Sequence, residues 1–240
     1  MANRPAQARS NSVTEDWRKP LGSEKSRTYL NAVRSLETAY AMFSVNLDEA
    51  FGMRRCGRMA NAYQVLGVSP ALCHRLASPL HSLLCAMLDH AKHFGTTPNL
   101  VPLDPENFQS TKSQRAARLS ELFGKILLTR KSQFLHKITA LSDLVQELNA
   151  SFESTIEKLG EQHSLRPERD WQLLDMIHYD LNTCLREAVV LLKSFLHALP
   201  DAQLSEFEVH LRGRTSAERV VPAPRAHHLA HRRMAFLKGQ

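Results

Sequence analysis

The stretch His74 to His93, "HRLASPLHSLLCAMLDHAKH", holds four histidines, a cysteine and an aspartate. Imidazole and thiolate are the ligand types that zinc prefers, and on a helix His81 and Cys85 stand one turn apart, able to offer two ligands to one ion. His74 and His81 lie about 10 Å apart along such a helix, too far to share an ion whose bonds are about 2 Å long. A structural zinc takes four protein ligands and a catalytic one three, so the stretch alone predicts no metal site. The apolar positions Leu72, Leu76, Leu80, Leu83, Met87 and Phe94 share one helical face, with His74, His81 and Cys85 opposite. The spacing therefore predicts a solvated polar face, with His90 at its apolar edge as a packing residue.

Three further groups of residues carry possible chemistry. Asp175, His178 and Asn182 line one edge of a predicted helix, where they suit a small-molecule contact or a boundary stripe with His178 half-covered and hydrogen-bonded. The second reading is the expectation. "DMIH" is the nearest approach to the paired E-x-x-H motifs of di-iron bundles, so no metal or other cofactor is predicted. "GMRRCGR" places Arg54, Arg55 and Arg58 at a helix end, where they either complement the negative end of the helix dipole or grip an anionic partner through bidentate guanidinium contacts. "APRAHHLAHRRMAFLKGQ" mixes Arg232 and Arg233 with apolar residues and suits a disordered tail or a basic segment that folds on a partner. No phosphate-binding glycine loop or local nucleophile signature accompanies these groups, which weighs against an enzyme.

The net charge of +7 is unevenly placed. Residues 212–240 hold seven Lys/Arg against one acid and residues 1–27 hold six against three, so the two ends carry +9 and the body between them −2. Basic ends on a near-neutral body leave nucleic-acid binding through the tails open. The four cysteines, Cys56, Cys73, Cys85 and Cys184, form no C-x-x-C pair and suit reduced thiols. The first 25 residues lack an apolar stretch, and no run of about eighteen apolar residues occurs anywhere, so neither export nor a membrane span is predicted and the cytoplasm is the expected compartment.

Helices must position these groups, because no β-alternation of useful length occurs. Tyr29, Val33, Leu36, Tyr40, Phe43, Leu47, Ala50 and Phe51 make the first apolar stripe, which Ser23 is placed to cap. Ser69-Pro70 signals the next start and Gly95 its stop, with Pro79 predicting a kink or two abutting helices. "GTTPNLVPLDPEN" reads as a loop, and a helix is predicted after Asp104-Pro105, either continuous to about residue 162 or broken near Thr129. Phe134, Ile138, Leu141, Val145, Leu148, Phe152, Thr155 and Leu159 keep alternating four-three spacing, the strongest pattern in the chain. The last long helix runs from Pro167 to Leu199, followed by a short amphipathic turn ending near Gly213.

These readings predict an all-α antiparallel bundle of about four long helices plus a short C-terminal helix. Residues 1–22 form a flexible tail, 23–211 one domain and 212–240 a second, basic tail. The repeat from Phe134 to Leu159 motivates a non-enzymatic interaction module that self-associates or docks a protein partner. A nucleic-acid-associated protein with basic tails is one alternative. A ligand- or metal-binding bundle enzyme is the other.

Overall fold

The computed structural model describes residues 19–98, 130–160 and 166–218, and within them the chain is a bundle of α-helices. In order these are α1 (Ser23–Arg55), α2 (Met59–Leu66), α3 (Ser69–Phe94), α4 (Arg130–Gly160), α5 (Pro167–Ala198) and, after a turn of 3-10 helix at Asp201–Gln203, α6 (Leu204–Glu218). The predicted loop after Gly95 is described only as far as Pro98. The helix expected from Asp104, its break near Thr129, and Arg232 and Arg233 lie outside the described residues.

The long helices run antiparallel, as pairs of contacts show. Lys25 donates to the carbonyl of Leu199 at 2.5 Å, Tyr40 meets His178, and Phe51 meets Trp171, so α1 and α5 descend past each other. Phe134 stacks on Phe195 at 5.9 Å between centroids, at opposite ends of α4 and α5. The eight positions of the four-three repeat on α4 are all buried, seven of them apolar and the eighth, Thr155, with its hydroxyl donating to Ser151 O at 2.7 Å. Fully burying one Leu, Val or Phe side chain is worth about 1.5–3 kcal/mol, so this ridge is a principal source of cohesion. The repeat packs against α3 and α5 of its own chain.

α3 is the central element, touching α1, α2, α4, α5 and α6. That position corrects the prediction of a solvated opposite face: His74 is exposed, but Cys73, Ala77, Leu84 and Ala86 are buried and His81 faces α4. Pro79 sits inside one continuous helix rather than between two. Its missing hydrogen bond is tolerated because neighbours on several sides hold the helix in place.

The serines at the starts of α1 and α3 do not cap them. Gly22 rather than Ser23 occupies the N-cap of α1, and Ser69, buried in the first turn of α3, donates to Asn46 Oδ1 at 2.5 Å instead of capping. Gly57 at φ 73° ends the α1 segment and Gly95 at φ 72° ends α3, both in the left-handed region that glycine enters without a steric penalty. At the edges of the predicted domain, His197 Nε2 approaches Lys19 O at 2.5 Å and Leu21 packs on the core, while α6 continues through Gly213 to Glu218.

Candidate partner-docking groove

Two of the groups singled out in the sequence meet in space. The last turns of α1 carry Asp48, Phe51, Arg54 and Arg55, and the first turns of α5 carry Trp171, Gln172 and Asp175. Three- and four-residue spacing puts each set on one helical face. Because α1 and α5 are antiparallel, the two faces meet in an open groove of about 280 Å³ lined by these seven residues. Arg58 stands outside it, exposed at the N-cap of α2.

Trp171 is fully buried, edge-on to Phe51 at 5.4 Å between centroids and tilted against Tyr63 at 6.2 Å. The Arg54 guanidinium lies 5.1 Å from the indole centroid, a cation–π contact, and pairs with Glu168. Arg54 occupies the next position of the α1 apolar stripe, and the indole gives its side chain an apolar surface to cover while its charge stays in reach of water. Both charges also suit their helices, since Arg54 is in the last turn of α1 and Glu168 in the first turn of α5. Arg55, by contrast, is exposed and pairs with no other described residue.

Along the same edge of α5, His178 is half-buried. Its ring stacks on Tyr40 at 5.4 Å, with Nε2 hydrogen-bonded to Tyr40 Oη at 3.0 Å, and meets Phe43 edge-on. Burial lowers its pKa, opposed by the carboxylates of Asp48 and Asp175, so the imidazole is held toward its neutral form. Asn182 is half-buried one turn further on and does not line the groove. His178 is thus tied into the α1–α5 contact rather than turned toward a ligand.

The cluster around His81 is a bridge between helices. Gln146 on α4 donates its amide N–H to His81 Nε2 at 2.9 Å, which leaves the ring proton on Nδ1 for Ser142 Oγ at 2.7 Å. Ser142 therefore accepts from the imidazole and is not activated as a nucleophile. Cys85 Sγ lies 3.7 Å from the same hydroxyl. Among the described residues no three His, Cys, Asp or Glu side chains converge as a metal ion would require. Burial pushes the thiols of Cys73 and Cys184 up, away from the reactive thiolate.

A second open groove, of about 410 Å³, lies at the far end of the bundle between the end of α3 and α6 and is lined by His93, Phe94, Ser205, Glu206, Val209 and His210. Beneath it His90 is fully buried. No helix among the described residues is long and apolar enough to cross a membrane. Comparison with family models, with curated proteins and with solved structures finds no match for this chain.

Trp171, Asp48 and Gln172 are absent from the candidate residues of the sequence, and Phe51 stands there only as the last residue of the first apolar stripe. One signal was present: Trp171 continues the α5 stripe one turn ahead of Leu174, where an aromatic beside a neighbouring arginine marks the kind of anchor enriched in interfaces.

Proposed function

We propose that the chain is a non-enzymatic interaction module that docks a protein segment in the groove between the end of α1 and the start of α5. The observation that carries this reading is the exposed Arg55 guanidinium, unpaired among the described residues, beside a Trp171–Phe51 floor, with Asp48 and Asp175 on the same rim. A groove of about 280 Å³ falls below the usual range of about 300–1,000 Å³ for small-molecule pockets and suits one or two side chains of a peptide. The matching segment brings a carboxylate to Arg55, a cation to Asp48 or Asp175, and an apolar contact to Phe51. Self-association through the α4 repeat has less support, because that ridge is buried within its own chain.

The chain has two tryptophans, Trp17 and Trp171, so Trp17→Phe leaves Trp171 as the sole indole reporter. Peptides selected from a random display library on this variant are expected to contain an acidic residue, to perturb Trp171 emission, and to lose at least tenfold in affinity with Arg55→Glu. Selected peptides that bind the Arg55→Glu protein equally well, or leave the emission unchanged, would remove the reading.

The charge distribution favours a second reading, nucleic-acid association through the basic ends, since +9 of charge lies in residues 1–27 and 212–240. Cationic arms displace counterions from phosphates, so retention of DNA or RNA on a filter should fall steeply between about 50 and 200 mM salt. Absence of retention at the low end would exclude it.

A further inference from the structure

His90 is fully buried near the C-terminal end of α3, and among the described residues neither ring nitrogen makes a hydrogen bond of full geometry. Aromatic rings surround it: Phe94 of α3 at 4.4 Å between centroids, Phe195 of α5 at 5.6 Å edge-on, and Phe207 of α6 at 5.8 Å edge-on. The titratable groups that face it are His93 on its own helix and His210 and Glu206 on α6, with His210 at 6.1 Å between centroids. From α5 the ring contact is Phe195 alone, and the backbone of Gln203 approaches from the 3-10 turn.

A neutral imidazole fits this cage as a flat, largely apolar ring. An imidazolium fits less well, because the loss of water outweighs what the Gln203 backbone and Glu206 return to the charged ring. Burial is the main cause holding the His90 pKa down. His210 and His93 lower it further, while Gln203 and Glu206 oppose them.

α6 packs chiefly against α3, through buried Leu204 and Phe207, with Phe207 also meeting Phe195 of α5, Thr28 of α1 donating to Glu208, and Arg214 paired with Asp89. Parting α6 from α3 opens the cage on the side of Phe207 and His210 and lets water reach the imidazole.

We propose that α6 is an acid-released latch, closed on α3 around a neutral His90 and freed when that imidazole takes up a proton. The direction follows from linkage: a histidine whose pKa is lowered in the docked state stabilises docking above its ordinary pKa of about 6.5, and that stabilisation is lost as pH falls through this value toward the lowered one. One proton shifts such an equilibrium by at most about tenfold per pH unit. Release uncovers Phe195 and the ring of His90, giving an apolar surface at the end of the bundle opposite the Trp171 groove.

Amide hydrogen exchange on the full chain at pH 7.5 and 5.5, corrected for the intrinsic pH dependence of exchange, tests the latch. The expected result is loss of protection in α6 by several-fold to tenfold at the lower pH while α4 and α5 remain protected, with the loss abolished by His90→Phe. Unchanged α6 protection at pH 5.5, equal loss in His90→Phe, or simultaneous loss throughout the bundle would each overturn it. Should His90→Phe fail to give a helical protein at pH 7.5, the double variant His93→Gln, His210→Gln decides instead. The latch requires the step in α6 protection to persist in this variant, and its disappearance, which would place the trigger on His93 or His210, contradicts it.

Discussion

Each end of α5 closes on a buried nitrogen heterocycle ringed by aromatics, and the two ends treat it differently. At the start of α5, Trp171 is enclosed by Phe51, Tyr63 and the Arg54 guanidinium, and its Nε1 has no hydrogen-bond partner among the described residues. At the other end, His90 is enclosed by Phe94, Phe195 and Phe207, with neither ring nitrogen in a hydrogen bond of full geometry among the described residues. The indole N–H does not titrate, so whatever its burial costs is the same at every ordinary pH. The imidazole titrates between about pH 5 and 8, which makes its burial conditional. One architecture thus gives a fixed end and a switchable end, and the choice of ring sets which is which.

The largest test of this contrast is to delete one ring from each cage. Trp171→Ala should cost about 3–5 kcal/mol, lowering the midpoint of the whole urea transition, because Trp171 is locked between α1, α2 and α5. Phe207→Ala removes a ring of similar burial, yet should chiefly release α6, seen as lost amide protection in α6 with a much smaller change in the main transition. Equal effects of the two on the global midpoint would break the contrast.

A smaller effect is set by pH. Burial lowers the pKa of both His90 and His178, so each contributes stability that is present above about pH 6.5 and lost as pH falls below it. Urea unfolding should therefore show lower stability at pH 5.5 than at 7.5, and His178→Gln should flatten that dependence in the main transition without stopping α6 release. A pH-independent midpoint in wild type would contradict the burial of both imidazoles.

The mildest change falls between the ends. Ser142→Ala removes one hydrogen bond to His81 in the α3–α4 bridge and should cost about 0.5–1.5 kcal/mol in the main transition, with no effect on α6 release. An altered α6 exchange profile in this variant would mean that the two ends are coupled through α4.

Much of the frame was legible in the sequence. The repeat from Phe134 to Leu159 is buried at every position, the Pro167 start opens α5, and Gly95 ends α3 with the left-handed conformation that a C-terminal glycine supplies. α2 was not assigned although Met59, Ala62, Tyr63 and Leu66 keep helical spacing, because eight residues flanked by glycines give too short a stripe to stand out. The wet-face reading of His81 and Cys85 failed for a different reason. Periodicity finds the most apolar face of one helix, but it does not count neighbours, and α3 is covered on several sides. A polar residue on such a helix then becomes a bridge, as the Ser142–His81–Gln146 bonds show.

The groove was half-legible. Arg54, Arg55 and Asp175 were marked from separate segments, and only the antiparallel pairing of α1 with α5 brings them to one place. Their shared floor, Trp171, lies one turn ahead of Leu174, and only the pairing of the two helices sets the guanidinium of Arg54 over it. Asn182 and Arg58 were marked by the same reasoning and fall outside the groove, because helical spacing fixes the face of a residue but not the neighbour it meets.

The claim on which both ends depend is that the α4 repeat is used up inside one chain, leaving partners to bind elsewhere. Sedimentation equilibrium at pH 7.5 over a hundredfold range of concentration tests it most directly. A constant mass near the chain's 27.1 kDa is the expected result. A mass that climbs toward twice that value, and returns to the monomer on substituting Val145 or Leu148 with a charged residue in a chain that stays folded, would contradict it.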